Sequence, residues 1–158
     1  MPRSIDPESF GFLVADLTRM IRAEMDRGIA AAGLGLTPGE GRTLSHAARA
    51  GAVRQSVLAE RIGVEAMTVS GALDRLEARG LVERRVDSDD RRAKLVHLTA
   101  AGEAMLQKIQ PISVSVRTTA ASGIDPGEWQ SFLQTLKRVR ANLSALRTEG
   151  ARRESGAA

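Results

Sequence analysis

Residues 66–99, AMTVSGALDRLEARGLVERRVDSDDRRAKLVHLT, decide the fold. Val69, Leu73 and Leu76 recur at the spacing of one helix face and mark its buried side. Met67, Gly71, Asp74 and Ala78 fall on the opposite side of the wheel, with Thr68, Ser70 and Arg75 on the flanks. Gly80 predicts the stop, because glycine takes the left-handed exit without a steric penalty. Val82, Arg84 and Val86 then alternate, as do Val96 and Leu98, so a two-stranded hairpin follows. Its tip, Asp87-Ser88-Asp89-Asp90-Arg91-Arg92, is charged and solvated. A small-faced helix followed by a basic-tipped hairpin outlines a winged helix-turn-helix. Such a helix enters a major groove, while the hairpin leans on the backbone or the minor groove.

Outward from this stretch, the chain reads as helices. Asp6-Pro7-Glu8 predicts a capped helix start, with Phe10, Leu13, Val14, Leu17, Ile21 and Met25 as an apolar stripe to about Ala31. Residues 33–41 are glycine-rich, but no lysine follows and no strand precedes, so they read as a linker rather than a phosphate loop. Thr37-Pro38-Gly39-Glu40 is a capping box opening a second helix to about Arg49, with Leu44, Ala47 and Ala48 facing inward. A turn at Ala50-Gly51-Ala52 leads to a third helix, about Gln55 to Ile62, with Val57, Leu58 and Ile62 buried. Gly63-Val64 then turns into the quoted helix, which completes a helix-turn-helix pattern.

Beyond the hairpin, Thr99 caps a helix from Ala100 to about Ala121, striped by Met105, Leu106, Ile109, Ile112 and Val116. Pro111 inside it removes a backbone donor and should bend it. Ile124-Asp125-Pro126-Gly127-Glu128-Trp129 predicts a capping box and an Ile124–Trp129 staple at the start of a last helix. Trp129, Phe132, Leu136, Val139, Leu143 and Leu146 form a narrow, coiled-coil-like seam along it. A seam of that length suits a second copy of the chain, and intramolecular packing is the alternative. Residues after Arg147 read as a loose tail.

The quoted stretch resembles the MarR family of bacterial transcriptional regulators. The resemblance is carried by Thr68-Val69-Ser70, Leu73 to Glu77, Gly80 to Val82, Arg84, Asp90 to Lys94, Val96, Leu98-Thr99 and Gly102. The helix order on either side is similar to the family over nearly its whole length. The resemblance implies a mainly α protein with a small β-hairpin wing, divided into an N-terminal dimerisation helix (1–32), a winged helix-turn-helix DNA-binding domain (33–99), C-terminal dimerisation helices (100–147) and a flexible tail (148–158). It implies a homodimer held by Phe10, Leu13, Leu17, Trp129, Phe132, Leu136, Val139 and Leu143. It also implies that Asp90 braces the wing tip and that one of Arg91 and Arg92 probes the minor groove. Arg84 matches a bracing position, which leaves Arg85 as a phosphate contact. Gly71 departs from the larger polar residue that relatives carry there. The resemblance further implies a ligand-responsive repressor on a pseudo-palindromic operator. A small lipophilic or aromatic effector would release it by changing the distance between the two reading helices. His46 is placed to line the pocket for that effector.

Residue chemistry supplies the remaining contacts. Thr68 and Ser70 are hydroxyls near the start of the reading helix, suited either to base edges or to local capping. Gly71 costs roughly 1 kcal/mol against alanine in a helix, which close approach of DNA would explain. Arg75 can reach a phosphate or pair with a neighbouring acid. Ser56, with Arg54 just before it, is placed to donate to a phosphate from a helix N-terminus, or else to cap its own helix.

Composition bounds the other classes. The 158 residues suit one domain, or a domain with an arm, and the net charge of +4 invites a nucleic-acid partner. Residues 65–99, however, carry seven basic and seven acidic side chains. Double-stranded DNA must then be met by geometry, with arginines outward and acids paired behind them. Only Phe10, Phe12, Trp129 and Phe132 are aromatic, so the core is aliphatic. Cysteine is absent, which excludes disulfides, thiolate metal sites and thiol redox sensing, and suits the cytoplasm. Arg3, Asp6 and Glu8 interrupt any signal peptide, and no apolar run approaches a membrane span. No nucleotide, metalloprotease or nucleophile motif occurs, and His46 and His97 stand far apart in sequence, so neither an enzyme nor a metal or other cofactor is expected. The alternatives are a winged-helix module that binds protein and an architectural DNA binder without sequence preference.

Overall fold

The computed structural model describes residues 6–155, with side chains through residue 146. Among these, six helices and three short strands follow in the order α1 (Phe10–Ala31), α2 (Pro38–Ala50), β1 (Val53–Arg54), α3 (Gln55–Ile62), α4 (Ala66–Ala78), β2 (Val82–Val86), β3 (Lys94–Leu98), α5 (Ala100–Ala120) and α6 (Pro126–Ser155). The chain separates into two compact units, one through Val116 and one from Arg117 onward, with α5 running across the boundary.

The first unit is built on an aliphatic core. Leu44, Leu58, Leu73, Leu76 and Val96 are fully buried, with Val69 and Val82 almost so, and Ile109 of α5 closes the same cluster. Thr37 caps α2 by accepting from the Glu40 amide at 3.2 Å, while the Glu40 carboxylate accepts from the Thr37 amide at 2.9 Å. The inward face of α2 is Glu40, Thr43, Leu44 and Ala47. Ala48, expected inside, is exposed because it lies a quarter-turn past Ala47. Gly80 adopts φ +68° and ends α4 as expected, with the Leu81 amide donating to Leu76 O at 2.9 Å.

The sheet has three strands in the order β1-β3-β2, both pairs antiparallel. The expected hairpin is β2–β3, with Arg84 opposite Val96. β1 is not predicted by the sequence pattern. It is two residues long and pairs Val53 with Val96 and Arg54 with Leu95. Val86 shares a face with Val82 yet is 61% exposed, because the hairpin extends beyond the core there.

Helix boundaries differ in two places. α1 begins at Phe10 and not at Asp6, because the Asp6 carboxylate accepts from the Glu8 amide in a preceding turn. α6 is helical to Ser155, past the expected end at Arg147, since residues 147–155 contain no proline. Residues 156–158 of the expected tail lie outside the described residues. Thr99 caps α5 as expected: its hydroxyl accepts from the Gly102 amide at 3.1 Å and donates to Gly80 O at 2.6 Å. In the second unit Asp125 Oδ1 accepts from the amides of Gly127 and Glu128 at 2.8 and 3.1 Å. Trp129 and Phe132 then pack with ring centroids 5.5 Å apart.

Candidate nucleic-acid interface

α3, the turn at residues 63–65 and α4 form the helix-turn-helix. Gly63 closes α3 in the left-handed conformation, φ 74° and ψ 42°. α4 buries Val69, Ala72, Leu73 and Leu76, so its other side is open. That side carries Met67 and Thr68, both exposed, with Ser70 and Gly71 half-exposed. Ser56 in the first turn of α3 is also exposed. No side-chain hydrogen bond occupies the Ser56, Thr68 or Ser70 hydroxyl among the described residues.

The arginines divide into two groups by their partners. Arg84 donates from Nε and Nη2 to Glu77 Oε2 at 3.0 and 2.7 Å, and its amide donates to Glu77 Oε1 at 2.9 Å. Nη2 also pairs with Asp74. Arg84 thus clamps β2 to α4 through a side chain only 17% exposed. These bonds, led by the Arg84 side chain, hold the Glu77 carboxyl below its ordinary range. Arg75 pairs with buried Glu40 at 2.5 Å, joining α4 to α2. Burial opposes ionisation of Glu40, but the Thr37 amide and Arg75 outweigh it and leave its pKa lowered. Arg85 pairs with Glu83 on the same strand. Arg79 donates to the carbonyls of Gly35 and Leu34.

The wing is anchored by a contact that local sequence pattern does not reveal. Asp87 is 5% exposed and accepts from Arg54 Nε and Nη2 at 2.8 and 2.7 Å. Its other oxygen accepts from the Asp89 amide at 2.9 Å. The Asp89 amide, then Arg54, depress its pKa. Arg54 also reaches Asp90 at 3.7 Å. Asp90 in turn accepts from the Arg92 amide at 3.0 Å, and its carbonyl accepts from the Ala93 amide at 2.8 Å. Arg54, expected at a phosphate, is thus ion-paired to the wing, with Asp87 as its main partner and its side chain 42% exposed. Arg91 and Arg92 are exposed, and among the described residues no carboxylate pairs with either guanidinium or with Lys94. Most acids of this neutral segment are paired; among the described residues Arg91, Arg92 and Lys94 of the wing are left without a carboxylate partner, as Asp89 is left without a cation.

A separate cavity of about 400 Å³ lies in the first unit, between α1, α2 and the end of α3. Ile21, Met25, Ile29 and Ile62 give it an apolar floor, and Arg22, Arg42, Arg61 and His46 add nitrogen donors. Arg42 pairs with Asp26, and Arg22 donates to Ile62 O at 3.2 Å. Burial, then the nearby Arg49, Arg42, Arg22 and Arg61, lower the His46 pKa from its ordinary 6.5. Among the described residues no group of acids and histidines could hold a metal ion, and no helix is long and apolar enough to cross a membrane.

A recognition helix, its helix-turn-helix partner and a braced wing with free arginines define a winged helix-turn-helix DNA-binding regulator. The MarR family model matches residues 36–94. A MarR-family transcriptional regulator from Silicibacter pomeroyi is 31% identical, with a TM-score of 0.74 over 89% of this chain and 96% of that one. The transcriptional regulator PA3341 is 38% identical, with a TM-score of 0.71 over 87% of this chain and 99% of that one. The solved structure of MarR shares the fold at 24% identity, with a TM-score of 0.76 over 94% of this chain and 98% of that one. The chain belongs to the MarR family of transcriptional regulators.

Proposed function

We propose that the protein is a homodimeric, sequence-specific repressor that occupies a pseudo-palindromic operator. The observation that carries this reading is the sorting of charge. Arg54, Arg75 and Arg84 are ion-paired to acids of other elements, whereas Arg91, Arg92 and Lys94 stand exposed and unpaired on the wing. In this reading α4 enters the major groove with Thr68, Ser70 and Gly71 toward base edges. Arg85 and Ser56 meet phosphates, and one of Arg91 and Arg92 enters the minor groove. Arg54, Arg75, Arg84 and Asp90 set the geometry without touching DNA. A second copy supplies the other half-site. The apolar stripes of α1 and α6 support that dimer, for Phe10, Leu13, Leu17, Phe132, Leu136 and Leu143 all remain exposed in one chain.

The effector site of this reading is the cavity beneath α1. Its apolar floor suits a small lipophilic or aromatic molecule, and His46 is one of its walls. Occupancy would shift the operator equilibrium only by its differential affinity for the free and DNA-bound forms.

Fluorescence anisotropy with the chain's own upstream DNA and with a random duplex, across a salt series, tests the operator reading. Tight binding to the upstream DNA alone is expected, with a salt slope that Arg91/Arg92→Ala flattens by about two counterions for each chain that contributes its wing. Equal affinity for both duplexes would replace it with an architectural role. No binding at low salt would point to a protein-binding module.

A further inference from the structure

α4 opens with Ala66, Met67 and Thr68, and Met67 is 86% exposed, more than any other large apolar residue described. Among the described residues nothing covers this thioether. The helix around it offers few groups for base recognition. It contains no asparagine or glutamine, and its one arginine, Arg75, is held by Glu40. Its one aspartate, Asp74, is held by Arg84. The bidentate side chains that read guanine and adenine are therefore missing or occupied. What remains toward a groove is the Met67 methyl thioether, two hydroxyls and a glycine. In the major groove the apolar feature that distinguishes one base from the others is the 5-methyl group of thymine.

We propose that Met67 is a specificity-determining residue that packs on a thymine 5-methyl group, so that each half-site is selected for thymine beneath the first turn of α4. This rests on the operator reading above. The unbranched, flexible side chain lets the sulfur and terminal methyl settle against a methyl group whose exact place varies with local DNA shape. The open Gly71 position leaves the groove wall free to approach one turn further along. Discrimination then comes from apolar contact, with the hydroxyls of Thr68 and Ser70 adding single hydrogen bonds.

The test uses the full chain and duplexes selected by it from a random library. Each thymine of a selected duplex is replaced in turn by deoxyuridine, which keeps every hydrogen bond and removes only the methyl. At one position per half-site, wild-type affinity is expected to fall about fourfold, the value of burying one methyl-sized group. Met67→Ala should bind the parent duplex about as weakly as wild type binds a duplex with the replacement made in both half-sites, and should be insensitive to either replacement. Because Met67 is exposed, this variant keeps the fold, which its thermal unfolding curve checks. Wild type indifferent to every replacement, or Met67→Ala retaining the full loss, overturns the proposal while leaving the operator reading intact. If no duplex is enriched, the operator reading fails and this assignment falls with it.

Discussion

Gly71 and Gly102 both lie inside helices, and their surroundings give them opposite tolerances. A Cβ on Gly102 would sit 2.1 Å from the carbonyl oxygen of Leu81 and 3.0 Å from Leu98. Backbone cannot yield as a flexible side chain does, so Gly102→Ala should destabilise by about 1–3 kcal/mol, read by urea unfolding. A Cβ on Gly71 meets only Arg75 Nη1 at 3.5 Å, an ordinary contact. Gly71→Ala should therefore raise stability by about 1 kcal/mol in the same assay. If it weakens operator binding at the same time, the glycine serves the DNA and not the fold. His46 gives a pH signature. Its folded-state pKa is lowered, first by burial and then by four arginines. The unfolded chain thus takes up the proton first as pH falls. The stability this group contributes is complete above its ordinary 6.5 and is lost as pH drops through the lowered value. His46→Gln should flatten the stability profile from about pH 7 downward, measured by unfolding at each pH.

At the scale of elements, the wing is a hairpin held at its base and tip by different bonds. Arg84 ties β2 to α4, and Asp87 ties the tip to Arg54 of β1. Asp87→Asn keeps the shape and removes the charge. It should speed amide exchange at Asp89 and Ala93 and weaken operator binding, although Asp87 itself faces the protein. Asp87 and Glu77 both have lowered pKa values in the fold, so their contribution is present above the ordinary carboxylate range. It is lost as pH falls through the lowered values, and Asp87→Asn should remove part of that acid dependence. The pattern of the hairpin is legible in the alternation of Val82, Arg84, Val96 and Leu98, as are the caps at Thr37 and Thr99. β1 is not legible, because two residues are too short for any periodicity and exist as strand only through Val96 and Leu95.

At the scale of the molecule, the apolar stripes of α1 and of α6 both stay open in a single chain. Leu17 is 48% exposed and Leu136 38% in a single chain. In the homodimer reading, Leu17→Glu or Leu136→Glu should shift the sedimenting species to a monomer. Operator affinity should then fall by about a hundredfold, because two linked half-site readers lose their mutual effective concentration. A variant that remains dimeric with unchanged affinity removes that stripe from the interface.

By itself, the amino-acid order determined the helices, the caps at Thr37, Thr99 and Asp125, most of the buried faces and the hairpin. Each of these is written in residues three or four apart along a helix, or two apart along a strand. Thr68 and Ser70 were legible as candidates for the same reason, being placed on a helix flank by local spacing, whereas Arg91 and Arg92 were candidates through the family resemblance. Which arginines are free was decided only by the tertiary structure. Arg54 meets Asp87 across 33 positions and Arg75 meets Glu40 across 35. No local period connects residues so far apart, and a carboxylate chooses its cation by distance in space. Folding therefore sets apart, among chemically identical arginines, the braces that are ion-paired across elements from the wing residues left without a carboxylate partner.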